Sequence, residues 1–184
     1  MNSVLLVVDV QNDFCPGGAL PTPQGDKVVP VINELMEKFN IVIASRDWHP
    51  ERTKHFDKWP VHCVRETPGA EFPNELHKEK IDLIFEKGTG IKDDGYSAFE
   101  ATNYNLKDYL REMKIDELYV TGLTSEYCVK STVLDALKHN FKTLVVKDAV
   151  EGIRKHKDDF ENSFVEMEKA GAIIIDNWKL IPKQ

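Results

Sequence analysis

Residues 4–9 read Val4-Leu5-Leu6-Val7-Val8-Asp9, five apolar residues in succession closed by a carboxylate. The run is rich in β-branched residues and apolar on both faces, as a strand must be when helices cover both sides of its sheet. It is far too short for a membrane span or the apolar part of a signal peptide, and no basic residue precedes it. Five runs like it follow: Ile41-Val42-Ile43-Ala44, Leu83-Ile84-Phe85, Leu118-Tyr119-Val120, Leu144-Val145-Val146 and Ile173-Ile174-Ile175. Helical patterns lie between them. Val28, Val29, Ile32, Leu35, Met36 and Phe39 recur at the spacing of one helix face. Asn105, with Asp108 three residues on, reads as a helix start before Tyr109, Leu110 and Met113. Val129, Val133, Leu134 and Leu137 mark a third helix, and Phe160, Phe164, Val165 and Met167 a fourth. The alternation predicts an α/β fold: a three-layer α/β/α sandwich on a six-stranded parallel, Rossmann-like sheet with right-handed crossovers.

The whole chain, 1–184, is the length of one domain, and no linker, repeat or low-complexity tract divides it. With 41% hydrophobic and 30% charged residues it has a globular balance. Its net charge of -7 disfavours phosphate backbones and anionic lipid, so neither nucleic acid nor membrane is expected as a partner. Three cysteines, Cys15, Cys63 and Cys128, cannot build a disulfide framework. These features predict a soluble, cytoplasmic protein.

In an open parallel sheet, ligands bind beyond the carboxyl ends of the strands. Asp9 ends the first run, Asp47 follows the second, Lys87 follows the third, Thr124 to Cys128 follow the fourth, and Lys147-Asp148 follow the fifth. An acid, an ammonium and a thiol are therefore expected on one rim. Asp9 alone would read as a turn aspartate and Cys128 alone as a small buried cysteine; with Lys87 on the same rim they point to chemistry. Cys128 lies in a strand-to-helix turn, Gly122-Leu123-Thr124-Ser125-Glu126-Tyr127-Cys128-Val129. With Thr124 or Ser125 as N-cap, the thiol falls in the first helical turn. There the helix end should lower its pKa, and free backbone N–H groups could receive an oxyanion.

Two long segments, roughly 46–72 and 88–101, break the rhythm, and segments of that length usually carry function. The first holds Asp47-Trp48-His49, His55 and His62. An Asp-x-His pair with two further histidines nearby suits a borderline divalent cation, and zinc, iron and manganese all accept such ligands. Three solvated loop histidines are the plainer alternative. His77, His139 and His156 lie in polar contexts and read as surface residues.

With these residues in view, the chain resembles the nicotinamidases (pyrazinamidases) of the isochorismatase-like cysteine hydrolase family. The matching stretches are Val8-Asp9-Val10-Gln11-Asn12-Asp13-Phe14, Asp47-Trp48-His49-Pro50, His62-Cys63-Val64 through Thr67-Pro68-Gly69-Ala70, Lys87-Gly88-Thr89, Tyr96-Ser97-Ala98-Phe99 and Gly122 to Val129. The resemblance implies a catalytic triad of Asp9, Lys87 and Cys128, and metal ligands Asp47, His49 and His62, with His55 in the place of a variable fourth. It implies aromatic substrate walls from Phe14, Trp59 and Tyr96, and an oxyanion hole from the backbone N–H groups of Thr124 and Cys128, with a cis peptide between Leu123 and Thr124. One divalent metal ion, zinc first and iron or manganese as alternatives, is implied as cofactor. Family members occur as monomers and as larger assemblies, so a homo-oligomer is compatible with the sequence. Thr124, Glu126, Tyr127 and Arg65-Glu66 depart from the family's more frequent Ala, Asp, His and Gln-Gly.

The activity implied is hydrolysis of the small molecule nicotinamide to nicotinate and ammonia, as in NAD salvage, and of pyrazinamide, through a Cys128 thioester. A same-family amidohydrolase for another small amide or carbamoyl group would keep Asp9, Lys87 and Cys128 without needing the histidines. A non-catalytic metal-binding or redox-sensing protein is a third reading, which leaves Asp9 and Lys87 without a role.

Overall fold

The first apolar run forms β1, Ser3–Val8, buried along its whole length at the centre of the sheet in the computed structural model, which describes residues 2–184. Its neighbours are β2, Val42–Asp47, and β4, Glu117–Leu123; β3, Leu83–Lys87, lies beyond β2. On the other side β5, Lys142–Glu151, and β6, Ile173–Ile175, complete the order β3-β2-β1-β4-β5-β6, every pair parallel. This is the doubly wound arrangement that the alternating pattern predicts. The direction of winding reverses between β1 and β4, where such sheets open a crevice beyond their carboxyl ends.

Alternate residues of β1 feed two cores. Leu5 and Val7 pack with α1, Val28–Met36, and with Trp178 and Ile181 near the C-terminus. Val4, Leu6 and Val8 face the other way, among side chains of α2, Leu106–Glu112, α3, Lys130–Lys138, and α4, Asp159–Lys169. Burying each such leucine or valine contributes roughly 1.5–3 kcal/mol, so the two faces together hold the sheet in register. Asn105 caps α2 by accepting from Asp108 N–H, as its position predicts.

Two local expectations differ. β5 continues through Lys147 and Asp148 to Glu151, its register on β4 shifting between Val120 and Gly122. Lys147 pairs with Glu161 of α4 and Asp148 accepts from Trp178 N–H, so neither joins the rim. Before α3 stands a five-residue π turn, Ser125–Val129, whose N-cap Thr124 makes no side-chain cap; Ser125 Oγ donates to Glu126 instead. Among the described residues no helix is long and apolar enough to cross a membrane.

Candidate active and metal sites

The strand ends bring the three rim residues together. Asp9 follows β1 with its backbone in the left-handed region, φ 48°. Asp is among the few residues that tolerate that conformation. Its N–H donates to Ser45 O, and Ser45 Oγ donates to Asp9 Oδ1 at 2.8 Å. Lys87, the last residue of β3, reaches across with its ammonium fully buried. Nζ lies 2.7 Å from Asp9 Oδ2, 2.5 Å from Asp47 Oδ1 and 3.5 Å from Cys128 Sγ, and donates to Gly95 O at 2.8 Å. The contact with Asp9 Oδ2 is an ion pair without hydrogen-bond alignment, so this oxygen keeps a lone pair free for a proton. Cys128, 8% exposed, sits in the π turn after β4, and the Leu123–Thr124 peptide before it is cis. Thr124 N–H meets no acceptor among the described residues.

Burial dominates the electrostatics here. It raises the Asp9 carboxyl to about 6, the nearby Asp47 charge adding to it and Lys87 opposing. Burial would raise Asp47 too, but Lys87 and the His49 and His62 rings outweigh it and hold that carboxyl well below the usual range. Burial would lower Lys87, yet the two carboxylates keep its ammonium well above the ordinary value. The Cys128 thiol is pushed well above its usual value, by burial first and then by Asp9 and Asp47, against Lys87. This corrects the expectation of a depressed thiol: a partial charge at a helix end is weaker than desolvation beside two carboxylates. At neutral pH the resting arrangement is therefore a thiol facing a carboxylate base, with a cation between them.

The histidines cluster on the far side of Asp47. Nitrogen donors of His49, His55 and His62 lie within 4.8 Å of one another, all three residues buried. His49 Nδ1 bonds to Gly88 O at 2.8 Å, His62 Nδ1 to Pro60 O at 2.6 Å and His55 Nδ1 to Asp93 Oδ1 at 2.9 Å. A carbonyl or carboxylate can only accept, so each Nδ1 carries the hydrogen and each Nε2 presents a lone pair. Burial lowers His62 to about 4 and also lowers His55, favouring neutral, ligating rings. His49 Nε2 is buried with no hydrogen-bond partner, and Asp47 Oδ2 stands 3.6 Å from it and 3.8 Å from His62 Nε2. An orphaned imidazole nitrogen, two further Nε2 lone pairs and a carboxylate oxygen fit a divalent cation. Asp47 thus faces the Lys87 ammonium with one oxygen and His49 and His62 with the other.

A cleft of about 350 Å³, its mouth included, joins the two groups and is lined by Phe14, Trp59, Tyr96, Thr124 and Cys128 with His55 and His62. All three aromatic walls expected from the resemblance are in it. Tyr127 and Ile153 also line it. Trp59 and Tyr127 meet edge to face at 4.7 Å, and Lys155 Nζ lies 4.5 Å over the Trp59 ring.

Several residues to which the sequence assigns no role hold this arrangement. Gln11, fully buried, accepts from Asp47 N–H and donates to Asp47 O and Ala70 O, each at 2.8 Å. Asp13 Oδ2 accepts from Cys63 N–H at 2.7 Å, fixing the residue after His62. Glu126 accepts from Ile153 and Arg154 N–H and so carries Ile153 to the cleft. The signal for Gln11 in the sequence is a long amide two residues after a strand-end acid. Asp13 and Glu126 act across the chain, on partners no local pattern connects. Glu66, where the family more often has Gly, adopts φ 63°, the left-handed conformation a glycine accepts without strain.

The Isochorismatase domain family matches residues 3–177. The nicotinamidase of Escherichia coli (strain K12) is 40% identical, covering 92% of this chain and 92% of its own. The crystal structure of the pyrazinamidase of Pyrococcus horikoshii in complex with zinc is 41% identical with a TM-score of 0.84, covering 96% of this chain and 100% of that one. An L. infantum protein crystallised in complex with nicotinate is 29% identical, with a TM-score of 0.88 over 95% of this chain and 92% of its own. Fold, site geometry and similarity agree: the chain belongs to the isochorismatase family.

Proposed function

We propose that this chain is a metal-dependent cysteine amidohydrolase that converts nicotinamide to nicotinate and ammonia, serving NAD salvage, and that it also hydrolyses pyrazinamide. The observation that carries the reading is Asp47, one oxygen of which pairs with Lys87 of the Asp9–Lys87–Cys128 group while the other faces His49 and His62 of the histidine cluster, beside one aromatic cleft. A flat ring with a nitrogen at one edge and a carboxamide at another matches that double-ended site. The similarity to a nicotinamidase and to a pyrazinamidase supports the same substrates.

Asp47, His49, His55 and His62 would hold one divalent ion, zinc foremost. When bound, that ion supplies a Lewis acid for the ring nitrogen. Phe14, Trp59 and Tyr96 sandwich the ring and keep water from its faces. Asp9 Oδ2 takes the Cys128 proton as sulfur attacks the carboxamide carbon, and the Lys87 ammonium stabilises the growing negative charge on sulfur. Thr124 and Cys128 N–H groups receive the oxyanion. Asp9 then returns the proton to the departing nitrogen, the C–N bond breaks, and ammonia leaves a thioester on Cys128. Asp9 finally deprotonates a water that attacks the thioester carbon and passes that proton to the departing sulfur as the C–S bond breaks, releasing nicotinate and restoring the thiol. Residues 1–184 act as one domain in this reading, in the cytoplasm, with a small molecule as partner.

Ammonia release tests it, with nicotinamide, pyrazinamide and a panel of small amides and carbamoyl compounds, before and after chelation. Nicotinamide should be hydrolysed, chelation should abolish turnover, and zinc should restore it. Preference for an unrelated amide, or unchanged turnover in verified metal-free protein, would sink the proposal.

A further inference from the structure

The segment between Lys87 and Tyr96 reads Gly88-Thr89-Gly90-Ile91-Lys92-Asp93-Asp94-Gly95. It is tied to the helical turn at Lys54–Asp57 by Lys54 N–H donating to Ile91 O and Thr53 Oγ1 donating to Lys92 O. Those ties set Asp93 inward, half-buried, while Asp94 stays exposed. Asp93 Oδ1 then meets two donors, His55 Nδ1 at 2.9 Å and Tyr96 OH at 3.0 Å, and Oδ2 pairs with Lys58. Trp59 Nε1 donates in turn to Tyr96 OH at 3.0 Å. One carboxylate therefore ends a chain running from Trp59 through Tyr96, and the same carboxylate orients His55. The Tyr96 hydroxyl both donates and accepts within this chain, so Tyr96 offers a ligand its ring.

We propose that Asp93 is a positioning residue that couples metal affinity to substrate affinity, by holding the His55 ring and the Trp59–Tyr96 wall as one unit. This rests on the reading of His55 as a metal ligand and of Trp59 and Tyr96 as substrate walls. Without the carboxylate, His55 can rotate or change tautomer, and Tyr96 and Trp59 lose their common anchor. The groups that carry the chemistry, Asp9, Lys87 and Cys128, make no contact with it among the described hydrogen bonds and ion pairs. Its loss should therefore appear in binding and hardly in turnover.

The test uses Asp93→Ala, Asp93→Asn and, as control, Asp94→Ala. Zinc affinity of the metal-stripped proteins is measured by calorimetry, and KM and kcat for nicotinamide at saturating zinc. For Asp93→Ala, zinc affinity should fall about 10-fold or more, KM rise about 10-fold, and kcat stay within about threefold. Asn still accepts at Oδ1, so Asp93→Asn should recover most of the KM effect and only part of the zinc affinity, its charge being gone. Asp94→Ala should change neither. Zinc affinity and KM both within about twofold of wild type in Asp93→Ala, or a fall confined to kcat, would overturn the proposal. If Asp93→Ala does not fold, Tyr96→Phe decides the aromatic half: KM should rise with zinc affinity unchanged, and an unchanged KM refutes it. Asp93→Asn then decides the metal half, which full wild-type zinc affinity would refute. A wild-type protein inert toward nicotinamide overturns the functional reading instead, and the zinc titrations still judge the link between Asp93 and His55.

Discussion

The two halves of the cleft are built in different ways. Asp9, Lys87 and Cys128 stand at or just past strand ends, where register places them: Val8 lies beside Ser45 and Gly122, and Asp47 beside Lys87. His49, His55 and His62 lie on segments with no strand pairing beyond one isolated bridge, His49 to Val64. Each imidazole is oriented by a single acceptor, Gly88 O, Asp93 Oδ1 or Pro60 O. The rim thus inherits the rigidity of a buried sheet, whereas the histidine group depends on a few side-chain and carbonyl bonds. Damage to one half should leave the other measurable.

Cys128→Ala makes the sharpest cut. Removing the proposed nucleophile should lower nicotinamide turnover by about 10⁴-fold or more, since residues acting as one catalytic unit fail together. Zinc affinity should remain within about twofold, because Cys128 makes no bond to the histidine group and its turn is packed by α3 and α4. Retained turnover would remove Cys128 from the mechanism; a large loss of zinc affinity would show that the halves are one unit.

How far these halves can be read without a structure follows the same division. The strand-end residues are legible because a run apolar on both faces has one physical explanation, and its end is where polar groups become affordable. Asp9 and Lys87 follow from that logic, and the Leu118-Tyr119-Val120 run leads to the Cys128 turn. The histidines are legible as ligand types, but their orientation is not, since the acceptors come from Gly88, Asp93 and Pro60. The thiol shows the limit most clearly. Its place near a helix start is a local property, while burial beside two carboxylates is a tertiary one, and the tertiary effect sets the sign. Lys147 and Asp148 mislead for a similar reason: polar residues normally end a buried strand, but here ion pairing to α4 lets β5 continue.

A pH profile gives the next effect in size. In the proposed mechanism Asp9 must be ionised to accept the thiol proton, and burial raises its carboxyl to about 6. The sign is then fixed: kcat/KM should be flat above this value and fall about tenfold per pH unit below it. A cation beside Asp47 favours the ionised form of Asp9, so the limb of the zinc-loaded protein should lie no higher than this. His62, lowered to about 4, takes up its proton only in more acidic solution, so zinc should be retained through the upper part of the fall. Measuring bound zinc alongside kcat/KM distinguishes the halves. Metal loss that tracks the fall in activity at every pH would make the histidine group, not Asp9, the origin of the limb.

Gly88→Ala strikes the other half with the smallest effect. Gly88 adopts φ 63°, and a Cβ there would stand 2.5 Å from Cε1 and 2.7 Å from Nδ1 of His49. Alanine in the left-handed region costs roughly 1–2 kcal/mol, and the clash falls on the ring whose Nδ1 needs the Gly88 carbonyl. The His49 ring must move, taking its unpartnered Nε2 out of line with Asp47. Zinc affinity should drop about 10-fold, the scale of losing one orienting partner of a ligand, with stability lowered by roughly 1–3 kcal/mol. With saturating zinc, kcat should return to within about threefold of wild type, because Lys87 keeps its ion pairs with Asp9 and Asp47. Calorimetric zinc titration, thermal unfolding and kcat at high zinc check the three parts. If kcat stays depressed at saturating zinc, the strain at Gly88 passes to its neighbour Lys87, and the rim is less independent of the loop than its strand register implies.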